Sequence, residues 1–494
     1  MSLEFTRSEF EAILPSAILF LTGIITLIVD LYAGSREGTD GPRQPKHHLV
    51  FIGCGGALLA FASLWLGGGI GGGSQSLFAG ALRADAFGEF AAGVLILTTL
   101  LTTLAAGGYL AAIGQNRGEF YGLLYLGTGA MVLLAQASNL VSLFVAVETL
   151  SLAAYVLAGF VRRWREGSEG SFKYFVMGAF SSGFLLFGLA FLYGATGSIA
   201  IEDLARPGAD EVLLGTGMVL VLVGFAFKVG AVPFHSWVPD VYQGSPVMAA
   251  GWMAVAVKVA SFAALIRITM AAGGGGVHSL AQMLAAISVV TMILGNLAAL
   301  NQTNIKRMLA YSGIAHSGYL LIPVILAMLG TPSAGAGALF YLTAYLMMTL
   351  GGFTVVAAVS RGDRDREEIE ALNGLARRHP LLAVALTLAL ISLAGIPLTG
   401  GFIGKLMIFR DAVQEGYLYL ALVGIITSLI SVYYYLRPVM AIYFREEESP
   451  VPKVENPWGL HLTLTLTSAG ILFLGIFPQG LIELTLRSVE SLGS

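Results

Sequence analysis

The sequence predicts an all-α, polytopic membrane protein of about fourteen transmembrane helices. Three observations predict it. Hydrophobic residues make up 56% of the 494 and charged residues only 12%, where soluble domains carry about a quarter. Mean hydropathy is +0.79. Apolar runs of about 20 residues, the length that crosses a ~30 Å hydrocarbon core, recur along the whole chain. A net charge of −3 argues against a nucleic-acid surface. The one cysteine, Cys54, excludes disulfides within the chain, and no CxxC or His/Cys cluster suggests a metal centre. The start, MSLEFTRSEFEAILPSAILF, lacks the basic opening and small-residue cleavage site of a signal peptide, so the first apolar span is expected to stay.

The expected spans lie near 10–33, 48–67, 86–111, 119–136, 138–161, 172–195, 211–231, 247–271, 279–299, 306–328, 334–358, 381–412, 416–440 and 459–482. The connections 34–47 and 361–379 are charged and belong at the surface. The run GGGIGGG (67–73) follows no strand and precedes no dinucleotide fingerprint, so it reads as a loop. With spans alternating sides, one face collects seventeen Lys and Arg, among them Arg36, Arg43, Arg163, Lys173, Lys306, Arg307, Arg364 and Lys453, and the other collects five. The positive-inside rule puts the richer face in the cytoplasm and both termini outside it, in a membrane of the bacterial inner type.

Spans seven and twelve are interrupted. KVGAVPFHSWVPDVYQGSP carries Pro233, Pro239 and Pro246; LAGIPLTGGFIG carries Pro397 among four glycines. Proline removes a donor and clashes with the preceding turn. Backbone freed at membrane depth is tolerated only where protein or water satisfies it. Interrupted spans five apart suggest two inverted five-helix repeats, spans 4–8 and 9–13. The expected divisions are 1–118 for the first three helices, 119–272 and 273–445 for the repeats, and 446–494 for the last helix. The segments Gly230-Ala-Val-Pro233 and Ala394-Gly-Ile-Pro397 pair across the breaks.

Glu148 stands ten or more residues from either end of the apolar stretch 138–160. Lys228, Lys258 and Lys405 also stand inside spans, each at a cost of ~2.5–3.5 kcal/mol on insertion scales. Arg267 and Arg437 lie toward span ends and are expected to snorkel. Fixed ion pairs would explain the lysines only if acids matched them, and three lysines face one evident mid-span acid. A lysine held between burial and a nearby carboxylate can gain and lose a proton. His235, inside the first break, and His316, in MLAYSGIAHSGYLLI, are candidate relays, though a lone histidine is often a packing residue. Lys173 opens its span, where snorkelling also accounts for it.

The segments VETLSLAAYVLAGF, KYFVMGAFSSGFLLFG, FKVGAVPFHSWVPDVYQGSP, NIKRMLAYSGIAHSGY and GIPLTGGFIGKLMIF resemble the antiporter-like membrane subunits of proton-pumping NADH:quinone oxidoreductase, respiratory complex I. The resemblance covers most of spans 4–13. A lysine in the twelfth span fits the N type of subunit better than the M type, whose pattern has glutamate there. It implies a translocase subunit without a redox centre or active site of its own. NADH, FMN, iron–sulfur clusters and quinone would serve elsewhere in the complex, and the partners would be neighbouring membrane subunits and the bilayer. It also implies that Glu148 and Lys228 form the pair of a first half-channel, that Lys258 is the central lysine and that Lys405 serves a second half-channel. His235, His316 and Lys173 then support a polar axis. A subunit of a multi-subunit cation/proton antiporter or membrane-bound hydrogenase is the alternative within this fold. A structural scaffold with fixed charge pairs is the alternative outside it.

Overall fold

Inside a bilayer, backbone amides must bond within their own segment, and this chain answers with helices. In a computed structural model, the described residues are 6–34, 46–66, 74–206, 208–272, 277–331, 333–446 and 458–492. The glycine run 67–73 and Arg36, Arg43 and Lys453 lie outside them. The first helices are α1 (Arg7–Gly34), α2 (His47–Ser63), α3 (Ala86–Ala112), α4 (Gly118–Gln136), α5 (Leu140–Ala158) and α6 (Arg165–Thr196). Then come α7 (Glu211–Val229), α8 (Trp237–Gly244), α9 (Val247–Trp252) and α10 (Lys258–Ala271), with one π-helical segment, Met253–Val257, joining the last two. The second half holds α11 (Val277–Leu300), α12 (Ile305–Met328), α13 (Ala334–Ser360), α14 (Leu375–Arg378), α15 (Pro380–Ala394), α16 (Gly400–Gln414), α17 (Leu418–Phe444), α18 (Trp458–Ile476) and α19 (Gln479–Glu490).

Among the described residues, twelve helices are long and apolar enough to cross a membrane, while His47–Ser63 and Pro380–Ala394 are shorter. The last expected span, 459–482, is two helices: Pro478 stands between α18 and α19, where it cannot donate to a continuing ladder. A small antiparallel hairpin, β1 (Gln75–Leu77) against β2 (Leu82–Ala84), also interrupts the helical pattern, with Ser76 opposite Arg83. Strands of three residues leave too little alternation to read in a sequence. Helix starts are capped where the sequence supplies Asp or Asn: Asp85 accepts from Gly88 N at 2.7 Å and Asn139 from Ser142 N at 2.7 Å.

The helices sort into an enclosed centre and a rim. The best apolar window of the α9–α10 span is 100% buried, and those of α12 and α13 are 94% buried. In α1, α6, α17 and α18 the share is only 33–39%. A helix hydrophobic all round is a core helix, so α9–α10, α12 and α13 meet protein on every side while the rim helices turn Leu, Ile and Phe outward. Helices approach closely where glycines oppose each other. A Cβ on Gly188 would lie 2.9 Å from Gly217 O, and one on Gly217 would lie 3.0 Å from Gly188 O, so α6 and α7 touch backbone to backbone.

Two ends of the molecule are rich in charge. At one, Lys306 of α12 is fully buried, 3.1 Å from Glu367, and donates to Gln243 O and Ser245 O. It is therefore a buried tie between α12, the end of α8 and the 361–379 connection, and not a solvated loop charge. Arg307 and Lys173 both reach Asp240 at 2.9 Å beside it. At the other end, Glu9 near the N-terminus accepts from Phe78 N and Ser491 beyond α19 accepts from Phe87 N. Arg267 corrects the sequence expectation here: it does not snorkel. It is 6% exposed, its two terminal nitrogens bond both oxygens of Asp85 at 2.6 and 2.9 Å, and one also donates to Ala135 O. A fully desolvated partner at the N-cap of α3 was available, so the stem had no reason to reach for water. Arg437 does end at backbone, donating to Leu300 O and Gln302 O. Replacing Asp85 alone by alanine leaves Arg267 buried and unpaired and should cost about 3–5 kcal/mol; thermal melting of the assembled protein should show the double replacement, D85L with R267L, recovering most of that loss.

Candidate functional site

Both interrupted spans end their first half in the same way. At the end of α7, Gly230 takes a left-handed φ of 71°, and Ala231 N returns to Ala226 O at 2.8 Å. At the end of α15, Gly395 has φ 83° and Ile396 N returns to Ile391 O at 3.2 Å. These are glycine-terminated Schellman caps. They align Gly230 with Gly395, one place away from the pairing of proline motifs that the sequence suggested. The cap satisfies carbonyls one turn back but leaves those of the final residues pointing beyond the helix.

Lysines take up those carbonyls. Lys258, 3% exposed, donates to Val229 O at 2.9 Å, to Gly313 O at 2.9 Å, and to the Ser317 hydroxyl. Lys405, 5% exposed, donates to Leu393 O at 2.9 Å and Ala394 O at 3.2 Å. Val229 and Ala394 are the residues immediately before the two glycines, so the two sites are built alike. The C-terminal end of a helix carries about half a negative charge, and each ammonium sits against such an end. The π segment Met253–Val257 sits directly before Lys258, where the extra residue per turn resets which face the lysine takes.

The stretch of α12 between Ser312 and Tyr319 lies between these lysines. Ser317 meets Lys258 and also donates to Val229 O at 2.5 Å. His316, 1% exposed, bonds the Tyr341 hydroxyl through Nδ1 and the Tyr435 hydroxyl through Nε2 at 3.0 Å; Tyr435 also meets Ser312. The ammonium of Lys405 lies 5.1 Å from the centre of the Tyr319 ring, a cation–π contact. Tyr319 in turn accepts from Asn296 Nδ2 at 3.1 Å. Sequence reasoning missed Ser317, Tyr319, Tyr341 and Tyr435. The signal was present in part: Ser312, His316 and Tyr319 are spaced i, i+4 and i+7, a polar face in the middle of a transmembrane helix.

The first half-site is looser. Lys228, 3% exposed, donates to the Ser151 hydroxyl at 2.6 Å and to Tyr155 OH at 3.4 Å. Glu148 accepts from Ser182 of α6. No ion pair within 4 Å joins Glu148 to Lys228 among the described residues; a hydroxyl serves each instead, with Ser151 one turn along α5 from Glu148. Glu148 is also only half-buried, and its helical neighbours Val145 and Leu152 are 57% and 58% exposed. The carboxylate expected deep inside stands on an outer face. Among the described residues, the partners of Lys228 and those of Lys258 do not meet in a hydrogen bond. His235 is half-buried in the first break with its Nδ1 unpartnered, and Pro233 beside it is exposed. Lys173 is not brought to the row: it is exposed and bound to Glu169 and Asp240 at 2.9 Å, because it lies on the first turns of an α6 that begins at Arg165, seven residues before the expected span. Pro397 lies between α15 and α16. Among the described residues, no three His, Cys, Asp or Glu side chains gather as a metal site requires.

Residues 137–431, which hold both breaks and all four proposed proton-transfer residues, match the family described as NADH:quinone oxidoreductase/Mrp antiporter, TM. The chain is 37% identical to NADH-quinone oxidoreductase subunit N of Trichlorobacter lovleyi over 98% of each sequence. The chain belongs to the subunit N family of NADH-quinone oxidoreductases. In a solved structure of respiratory complex I from Thermus thermophilus, one chain is 33% identical and superposes with a TM-score of 0.79 over 95% of this chain and 98% of that one. A chain of the Mrp complex from Dietzia sp., 23% identical over 99% and 98% of the two chains with a TM-score of 0.83, shares the fold. The protein is thus a multi-pass membrane subunit of an oxidoreductase complex.

The caps generate a direct test. Gly395→Ala carries both the left-handed penalty, about 1–2 kcal/mol, and a Cβ only 3.0 Å from Lys405 Cδ. Gly416→Ala at φ 82° meets nothing within 4 Å, so it carries the penalty alone. Thermal melting should place Gly395→Ala clearly below Gly416→Ala.

Proposed function

We propose that this subunit moves protons along the Glu148, Lys228, Lys258, His316 and Lys405 row, driven by quinone reduction elsewhere in the complex. The observation that carries the reading is the repeated pairing of a lysine ammonium with the carbonyl end of a broken helix, deep in the protein. In this reading Lys258 and Lys405 are proton carriers whose charged forms the helix ends favour. Either can still donate a hydrogen bond when neutral, so a proton can leave without emptying the site. The α12 stretch, with Ser317, His316 and Tyr319, supplies the hydroxyl and imidazole groups between them. Each charge moved across the whole field works against ~2.3 kcal/mol per 100 mV.

Glu148 acts on Lys228 through the turn that carries Ser151. Its half-exposed position on an apolar face is costly in lipid, ~2.5–3.5 kcal/mol at the bilayer centre. That cost favours a neighbouring membrane subunit over lipid on the α5–α6 face. The chain then divides at 118, 272 and 445, with 119–272 and 273–445 as inverted repeats. It sits in a bacterial-type inner membrane with both termini outside the cytoplasm. It has no active site of its own, and NADH, FMN, iron–sulfur clusters and quinone belong to its partners.

Reconstituted, fully assembled complex is the material for the test. In Glu148→Gln and Lys258→Met, proton movement into vesicles should be lost or sharply reduced while subunit content stays normal. Undiminished pumping in both variants would refute the reading. Transport that depends on sodium instead of protons would favour a cation antiporter role.

A further inference from the structure

A cavity of about 160 Å³ opens at the end of the molecule where α1 begins, away from the lysine row. Ser8 and Glu11 of α1, Ser63 of α2, Gln75 of β1, Glu89 of α3 and Gln136 of α4 contribute to its lining, which among the described residues contains no Lys, Arg or His. Two of these groups present buried acceptors with nothing bonded to them: Glu89 Oε2 and Gln136 Oε1. Gln136 is only 2% exposed. Buried acceptors without donors are rare in folded proteins because desolvation is then uncompensated.

The charges around the cavity single out Glu89. Asp85, four residues earlier and one turn away, is fully provided for: it caps Gly88 N and holds both terminal nitrogens of Arg267 from α10, with Arg83 at 3.8 Å. Glu11 is paired outward with Arg7 at 2.7 Å, and Glu9 is occupied by Phe78 N. The α2, α4 and β1 elements contribute only neutral groups to the lining. Among the described residues that line the cavity, Glu89 is the carboxylate that no cation pairs. One proton resolves the mismatch. Bound at Glu89 Oε2, it would convert that atom to a donor, and Gln136 Oε1 is an unpartnered acceptor on a residue lining the same cavity.

We propose that Glu89 is a proton-binding carboxyl group that exchanges with the aqueous phase through this cavity. The inference does not depend on the role of the lysines. The test is infrared difference spectroscopy of the assembled complex in lipid, stepped in pH. A carbonyl band of a protonated carboxylic acid should be present near neutrality and fade as pH rises. It should be absent in Glu89→Gln and retained in Glu11→Gln. Gln136→Leu, which removes the acceptor, should move the band to higher wavenumber. Identical spectra for wild type and Glu89→Gln would overturn the proposal, since Glu89 would then be ionised and solvated. Loss of the band on adding sodium or calcium at constant pH would also overturn it, since the cavity would then hold a metal cation. Should Glu89→Gln fail to assemble, an unshifted band in Gln136→Leu would overturn it instead.

Discussion

An ammonium set against the carbonyl end of a broken helix is the interaction on which the rest of this structure depends. Neither half could exist alone at membrane depth. The carbonyls of Leu393 and Ala394 would lose their lysine donor and that of Val229 would keep only the Ser317 hydroxyl, while Lys258 and Lys405 would be charges in an apolar interior. Together each removes the other's cost. Glycine makes the arrangement possible, because Gly230 and Gly395 turn the chain through left-handed φ and leave the last carbonyls facing outward.

The enclosing architecture follows from that need. Buried charge is best tolerated where protein surrounds it, and Lys258 stands on α10 against Gly313 and Ser317 of α12, in two of the spans with the least outward surface. The rim helices give these an apolar coat. Charge is also managed by pairing at the two ends, Lys306 with Glu367 and Arg267 with Asp85, where four side chains under 10% exposed are matched by sign. Mid-span, no acid among the described residues pairs with Lys258 or Lys405, and backbone carbonyls take the place that carboxylates hold elsewhere.

Much of this was legible in the sequence because its signals are local. Apolar runs marked the spans, and proline with glycine marked the breaks at 230–233 and 395–397. A lysine in a greasy run announces an unusual site whatever its partners. What failed to appear were relations between distant residues. Nothing near Arg267 signals that Asp85, 182 positions away, will meet it, so proximity to a span end suggested water. Nothing around Glu148 tells which way its helix is turned, since Val145 and Leu152 on one side and Leu143 and Leu150 on the other are equally apolar. Lys173 was read as opening its span and is exposed there, but the start of α6 was missed, because Arg165 to Ser171 carry charge, Gly and Ser and look like a loop. The role of α12 was half-visible: the polar spacing could be read, but the tyrosines that complete it come from α13 and α17.

The bare contact between Gly188 and Gly217 has a mechanical consequence. With no side chain between them, and with Ser181 also bonded to Gly224 O at 3.2 Å, α6 and α7 are joined at two points along their length, like one beam. Lys228 rides on that beam while Ser151 belongs to α5. While that beam holds, a change in the separation of those two comes from a tilt of α5 or a flip of the lysine's own flexible stem, a short local hop in place of a piston-like stroke.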